Sequence, residues 1–558
     1  MAIFFCHYTI PIFNSQPNVR EKSVKALAHG EIYGIILDKK IPLTGGAGMK
    51  QIRKLLFQRV VIVGLSILLQ LALMVSMVQW LSEYRAWIRA FLTALSVVTV
   101  IWLMLERTNA SYKIAWIILI LAFPIAGISI YLTFGGRRLS LPVRKRMQLA
   151  QDLVRDHLWQ EKITEEALEE VSDAAIVHSR FLYHVSGYPV YDNTETVYYA
   201  LGDEAYPHML EELRKAEKYI FLEYFIIGQG VMWDGILEIL KEKAAQGVDV
   251  RVLYDDFGCI QTLPGNYYKQ LRRWGIEARV FNPFLPVLSG RLNNRNHRKL
   301  MIIDGKVGFT GGINLADEYI NRRERFGHWK DCALLLRGEG VWAMTVMFLA
   351  MWDSCTGRRE HIPGFRPDYE YRLAGGEGFV QPFCDSPLDD EDVAENLLLS
   401  LFQRAVRSIY IMTPYLILDD KITSALLTAA KSGLDVRIIT PHVPDKWYVH
   451  AVSRAHYEVL TEAGVRIYEY SPGFIHSKVY LVDDRYAVAG TVNLDFRSLY
   501  LHYENAVFLF EASAVAEIGE DFQKTFPVCE EITWRKCRKT GLPQRLLAAA
   551  LRLFSPLM

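Results

Sequence analysis

The sequence predicts an α/β protein of two similar α/β halves that share one active site, preceded by N-terminal transmembrane helices. Three observations carry this expectation. Long uncharged apolar runs are confined to the N-terminal part of the chain. The remainder repeats itself, and strand-like runs alternate with helix-like ones in each copy. One set of polar residues recurs at identical spacing near the end of each copy.

Composition narrows the classes first. A chain of 558 residues with 51% hydrophobic and 22% charged residues has ample material for large cores and is not disordered. Lys+Arg (63) and Asp+Glu (62) nearly cancel, which excludes a globally basic nucleic-acid binder. The seven cysteines form no C-x-x-C pair, so they read as small buried hydrophobes rather than a zinc site or disulfide framework.

Residues 1–48 show neither a secretory pattern nor a clear periodicity. Met49, followed by Lys50, Arg53, Lys54 and an apolar run, reads as a natural membrane-protein start. Residues 1–48 are therefore expected to be a mis-assigned upstream extension.

Residues 49–136 read as a membrane anchor with two or three apolar segments, 60–81, 88–105 and 114–134. The first and third are uncharged over 22 and 21 residues, enough to cross a bilayer as helix; the middle one is shorter. Trp80, Trp87 and Trp116 stand near segment ends, where interfacial aromatics concentrate. Basic residues flank both sides: Lys50, Arg53, Lys54 and Arg59 before, Arg137, Arg138, Arg144, Lys145 and Arg146 after. Both flanks favour the cytoplasmic face, which requires an even number of crossings. A two-pass chain with the middle segment re-entrant or interfacial satisfies this.

The rest divides into 137–365 and 366–558, with the Gly/Pro-rich stretch near Pro363 to Gly378 as the link. Ala244 to Leu253 matches Ala429 to Ile438, and Leu271 to Val280 matches Leu460 to Tyr468. Each half opens with a strand, Tyr219 to Ile227 and Ser408 to Leu418, and a mainly parallel sheet is expected. The C-terminal stretch from Gln544 to Phe554 reads either as an amphipathic helix on anionic lipid or as a packed terminal helix.

The repeated polar set is His297, Lys299, Asp304, Gly311 and Asn314 in the first half, and His476, Lys478, Asp483, Gly490 and Asn493 in the second. Alternation along a strand puts His and Lys on one face. The Asp ends that strand, where carboxylates accept turn N–H bonds. Gly permits close backbone approach, and Asn adds a neutral donor. Two such halves face to face hold two imidazoles, two ammonium groups and two amides. Such a site suits a phosphodiester: cations for its oxygens, one nucleophile and an opposed acid. No metal-ligand cluster and no cofactor are expected.

The tandem H-x-K-x4-D motifs resemble those of the phospholipase D superfamily. Ile114-Ala115-Trp116 through Gly135, Leu222-Glu223-Tyr224-Phe225 and Gly490 through Ser498 are similar to bacterial cardiolipin synthases. The resemblance covers roughly residues 50 to 558. Gly312 and Thr491 depart from it, because the broad family often has Ser there; at 312 a phosphate contact would rest on backbone N–H.

The resemblance implies two phospholipase D-like halves in a multi-pass protein of the bacterial cytoplasmic membrane. It implies phosphatidyl transfer between two phosphatidylglycerol molecules, with His297 as nucleophile and His476 as acid/base. Lys299, Lys478, Asn314 and Asn493 would hold phosphate oxygens, with Gly311 and Gly490 beside them. Asp304 and Asp483 complete the motifs, and Asp331, Glu504 and Glu223 would support the site. Partners would be phosphatidylglycerol and other anionic phospholipids, the membrane, and no nucleic acid. A hydrolase or a phosphatidylserine synthase of the same superfamily is the alternative, since no residue of the motifs reads the acceptor.

Overall fold

Strand β2 (Tyr219–Tyr224) is buried along its whole length, as an apolar run between two covered faces must be. It sits inside a seven-stranded sheet with β1 (Thr194–Tyr199), β3 (Asp249–Asp255), β4 (Glu277–Phe281), β5 (Lys299–Ile303), β6 (Val307–Gly311) and β8 (Ala333–Gly338). The spatial order is β1-β8-β6-β5-β2-β3-β4. The second sheet comprises β9 (Phe379–Asp385), β10 (Ser408–Met412), β11 (Asp435–Pro441), β12 (Arg466–Tyr470), β14 (Val479–Val482), β15 (Tyr486–Gly490), β16 (Glu504–Phe510) and β17 (Cys529–Ile532). Its order, β17-β12-β11-β10-β14-β15-β16-β9, repeats the first with β17 added.

This is a computed structural model. It describes residues 86–553, apart from 107–108, 136–140, 284–292, 370–372, 374, 389–390 and 540, and only scattered residues before 86. The expected extension at 1–48 and most of the run at 60–81 lie outside the described residues.

The sheets are mixed rather than mainly parallel. Only β2–β3–β4 and β10–β11–β12 run parallel; every other pairing in the two sheets is antiparallel. The reason is the connection. Helical crossovers such as Val231–Ala245 return the chain in the same direction, whereas β5–β6 and β14–β15 are joined by tight turns. Asp304 and Gly305 both take positive φ (53° and 67°), as do Asp483 and Asp484 (both 56°), which is the hairpin turn geometry that matches strand twist. Strands β1 and β9 lie outside the sequence expectation.

Two backbone pairings join the halves beside the histidines. Strand β7 (His328–Lys330) of the first pairs in parallel with β13 (Gly473–Ile475) of the second. Asn296 bridges to Tyr503. The helix Gly340–Thr356 is buried from Gly340 to Ser354 and belongs to a core that draws on both halves. The C-terminal helix Leu542–Leu553 packs on Trp447–Glu462, with Arg545 paired to Glu458, while Leu546 and Leu547 stay exposed.

Near the N-terminus, helix α1 (Ala86–Leu105) is followed by α2 (Ala110–Ala122) and α3 (Pro124–Ile130). The expected single span over 114–134 is instead a hairpin. Pro124 cannot continue the hydrogen bonding of α2, and the chain turns at Phe123. Trp116 then stacks edge-on to Tyr131 (5.2 Å), Tyr112 Oη donates to Gly135 O (2.8 Å), and a Cβ on Gly127 would strike Leu119 and Ile120. Among the described residues no helix is long and apolar enough to cross a membrane.

Candidate active site

His297 precedes β5 and His476 precedes β14, and each is held by the other half. His297 N donates to Tyr503 O (2.9 Å), and its Nδ1 lies 2.9 Å from Glu504 Oε2. His476 N donates to Lys330 O (2.7 Å), and its Nδ1 lies 2.6 Å from Asp331 Oδ2. A carboxylate acceptor at Nδ1 fixes the ring proton there and leaves Nε2 bare. Aromatic rings wall the imidazoles: Phe225 and His502 beside His297, and Tyr319, Trp329 and Phe474 beside His476.

Burial sets the electrostatics. It holds both histidines well below their ordinary pKa, and the charges of Lys299 and Lys478 push in the same direction. Both rings therefore favour the neutral form while the site holds no anion. Burial also lowers Lys299 to about 7 and Lys478 to about 8. It raises Asp331 to about 7 against the pull of Lys478. Lys299 Nζ donates to His297 O (2.6 Å), and Lys478 Nζ donates to His476 O and lies 2.8 Å from His476 Nδ1.

The two halves differ one residue beyond the repeated Gly. Thr491 Oγ1 donates to Glu504 Oε2 (2.5 Å), and Ser498 Oγ donates to Glu504 Oε1 (2.7 Å). Among the described residues Asp331 receives no such hydroxyl; its Oδ1 accepts from Cys332 N (2.9 Å). At Gly312 a Cβ would stand 1.9 Å from Asp331 Oδ1. Gly312 N is itself spent on Cys332 O (3.0 Å), so it is not the phosphate donor the sequence led one to expect. Thr491 likewise serves Glu504.

The amides differ as well. Asn314 accepts from Ile226 N (3.0 Å) and donates to Tyr319 Oη (2.7 Å), which makes it a brace. Among the described residues, Asn493 Oδ1 is buried without a hydrogen-bond partner.

Several expected site residues stand elsewhere. Asp304 lies at the far end of β5, where its carboxylate accepts from Glu217 N, Lys218 N and Tyr219 N at 2.7–2.8 Å. Asp483 does the same for Val406 N, Arg407 N and Ser408 N. Both fasten a turn to the start of the neighbouring strand and do not reach the histidines. Gly311 (φ 140°) and Gly490 let adjacent strands approach; a Cβ at either would strike the backbone of Cys332 or of Asn505 and Ala506. Glu223 is buried behind the site. It accepts from Asn296 Nδ2 (2.7 Å), and burial raises its pKa to about 7.

Three residues escaped sequence reasoning, Asp255, Arg295 and Asn296; Ser498 lies within the stretch Gly490 to Ser498, but the sequence assigns it no role. Asp255 accepts from Asn296 N (3.0 Å) and pairs with Arg295 (3.2 Å), fixing the segment that carries His297. The polar run Asn294-Arg295-Asn296 just before the motif is the sequence feature by which Arg295 and Asn296 could be found.

His297, His502 and Glu504 bring ligand-type atoms within 4.8 Å of one another, as do His442, Glu469 and Glu530. In the first group Glu504 is committed to His297, Thr491 and Ser498; in the second Glu469 is held by Arg454 through both oxygens. Both are hydrogen-bonded networks in their own right.

Known proteins agree with this architecture. The family described as cardiolipin synthase, PLD-like domain, matches residues 209–325 and 398–526, and phospholipase D-nuclease N-terminal matches 93–136. A cardiolipin synthase of Alkalihalophilus pseudofirmus is 34% identical over 485 residues, 85% of this chain and 95% of that protein. One from Geobacillus kaustophilus is 36% identical over 460 residues, 81% of this chain and 90% of that protein. The fold is shared with the crystal structure of a phosphatidylserine synthase from Haemophilus influenzae (TM-score 0.50, 16% identity, 65% of this chain and 95% of that one). Two repeated motifs, one composite site and relatives that match over nearly their full length place this chain in the cardiolipin synthase family of the phospholipase D superfamily.

Proposed function

We propose that this protein is a phosphatidyltransferase that converts two phosphatidylglycerol molecules into cardiolipin and glycerol. The observation that carries the reading is the pair of histidines, each backed at Nδ1 by a carboxylate from the opposite half. His297 Nε2 attacks phosphorus and the P–O bond to glycerol breaks; His476, protonated at Nε2 once the phosphate anion of the bound lipid lies beside it, supplies the proton that leaves with glycerol. A hydroxyl of the second phosphatidylglycerol then gives its proton to His476. Its oxygen attacks phosphorus, the P–N bond breaks, and His297 is restored. Lys299 and Lys478 carry the charge of the phosphoryl oxygens, and Asn493 offers a neutral contact.

The roles follow from the unequal carboxylates. A phosphatidyl-imidazole with a proton on Nδ1 is a cation. Glu504, held on both oxygens by the Thr491 and Ser498 hydroxyls, suits that partner. Asp331, raised to about 7 by burial, suits the histidine that takes and returns protons. Incubating the purified protein with phosphatidylglycerol alone and identifying the lipid products tests the reading. Cardiolipin with an equal yield of glycerol is expected; phosphatidic acid alone would identify a hydrolase.

The anchor is read as holding the catalytic halves at the bilayer through the apolar hairpin of α2 and α3. Asn109, between α1 and α2, donates to Tyr500 Oη (2.9 Å) and Asp419 Oδ2 (3.3 Å) of the second half. Gly135 closes the hairpin beside Tyr112. The catalytic halves, the hairpin base and the basic residues Arg144, Lys145 and Arg146 then lie on one face of the membrane, the face that charge asymmetry favours. The exposed Ile114, Ile118, Leu121 and Phe123 of the hairpin suit a lipid surface.

A further inference from the structure

The halves match strand for strand, so a polar group present in only one of them marks a specialised task. Ile227 bridges to Leu315 in the first half, and Leu416 bridges to Leu494 in the second. Counting back one residue, Tyr415 occupies the place of Ile226. Strands β3 and β11 are both seven residues long and begin at Asp249 and Asp435. Ten and eleven residues on, the first half has Cys259 and Ile260, and the second has Asp445 and Lys446. Three apolar or weakly polar positions in one half are thus a phenol, a carboxylate and an ammonium in the other.

These three side chains form one unit. Tyr415 Oη donates to Asp445 Oδ2 (2.6 Å), and Lys446 Nζ donates to Tyr415 Oη (3.0 Å) and to Asp445 Oδ2. The unit is half-buried rather than sealed in the core: Lys446 is 33% and Asp445 17% exposed. Among the described residues, Asp445 Oδ1 and the third N–H of Lys446 have no protein partner. Val443 N donates to Gly473 O (3.4 Å), tying this loop to β13, which leads directly into His476. Both charges act on the His476 imidazole. Burial pushes the Asp445 carboxyl up, but the Lys446 ammonium outweighs it and keeps the group an anion.

The reaction proposed above poses a recognition problem that the repeated motifs do not solve, and this inference rests on that reading. The accepting phosphatidylglycerol carries a second phosphodiester, which does not react. Water and free glycerol lack it. It lies one glycerol unit beyond the attacking oxygen, on the His476 side, while the motif lysines are engaged with the reacting phosphate. We propose that Tyr415, Asp445 and Lys446 form the acceptor subsite. Asp445 Oδ1 accepts from glycerol hydroxyls, Lys446 donates to the unreactive phosphate, and Tyr415 holds the two in place.

The test uses the full chain with detergent-dispersed phosphatidylglycerol and labelled free glycerol. It reads cardiolipin, labelled phosphatidylglycerol (from glycerol exchange) and phosphatidic acid. Lys446→Met should lower the ratio of cardiolipin to exchanged phosphatidylglycerol about tenfold, the scale of a lost hydrogen bond to a charged group. Lys446→Arg, which keeps the cation, should restore most of it. Asp445→Asn should raise the share of phosphatidic acid about tenfold, because water no longer meets a better-bound competitor. If the variants fold as wild type by circular dichroism and all three product ratios are unaltered, the trio is a structural ion pair and the proposal fails. Wild-type protein that exchanges glycerol yet makes no cardiolipin would overturn the functional reading, and the Lys446 assignment with it.

Discussion

Glu504 of the second half sits 2.9 Å from Nδ1 of His297 of the first. The reciprocal contact, Asp331 to His476, is 2.6 Å. Neither half can therefore assemble a working histidine alone. Glu504→Gln leaves the shape but removes the anion that stabilises a modified His297, and should cost about a hundredfold in turnover. In rapid-quench experiments with labelled phosphatidylglycerol, label should appear on His297 and its accumulation should slow in this variant. Label found on His476 instead would exchange the two roles.

Gly312 is required by space. Gly312→Ala would drive a methyl group into Asp331, displace the carboxylate and release His476 from its orientation. A loss of about a hundredfold in activity is expected, with little change in the circular dichroism spectrum. Gly265→Ala, with nothing within 4 Å of the added carbon, is the control and should be neutral. Near-normal activity in the Gly312 variant would mean Asp331 does not orient His476.

Asp304 and Asp483 serve the fold. Each accepts three backbone N–H groups at the turn that ends its strand. Asp304→Ala should reduce stability by about 2–3 kcal/mol through the orphaned donors and the positive φ. Thermal melting in detergent should fall, while turnover per folded molecule at low temperature stays close to wild type. A variant that melts normally but is inactive would put Asp304 in the chemistry.

The pH profile should be limited by lysines on its alkaline side. Burial lowers Lys299 to about 7 and Lys478 to about 8, so these ammonium groups are present below those values and lost as pH rises through them. kcat/KM should decline above neutrality, far below the ordinary lysine range. Lys299→Arg, which cannot deprotonate in this range, should move the onset of that decline up to the value set by Lys478. The histidines are held well below 6.5 and should add no acidic limb near neutrality.

By itself the sequence determined the duplication, the α/β class and the two His-Lys pairs, because repetition at fixed spacing survives without coordinates and alternation along a strand decides which side chains share a face. It also marked Asp304 and Asp483 as turn residues, yet their place in the same motif drew them toward the chemistry. Only the tertiary structure separated them: β5 and β14 carry the histidine at one end and the aspartate at the other. The same holds for partners. Asp331 and Glu504 were candidates from their positions after each motif. That each serves the opposite half depends on β7 pairing with β13 and Asn296 with Tyr503, contacts between residues more than a hundred positions apart. Parallel or antiparallel pairing was decided by tight turns against helical crossovers, and the run at 114–134 by how Pro124 turns the chain. Local pattern reports periodicity and composition; the direction of return, and the side chain met on returning, belong to the folded chain.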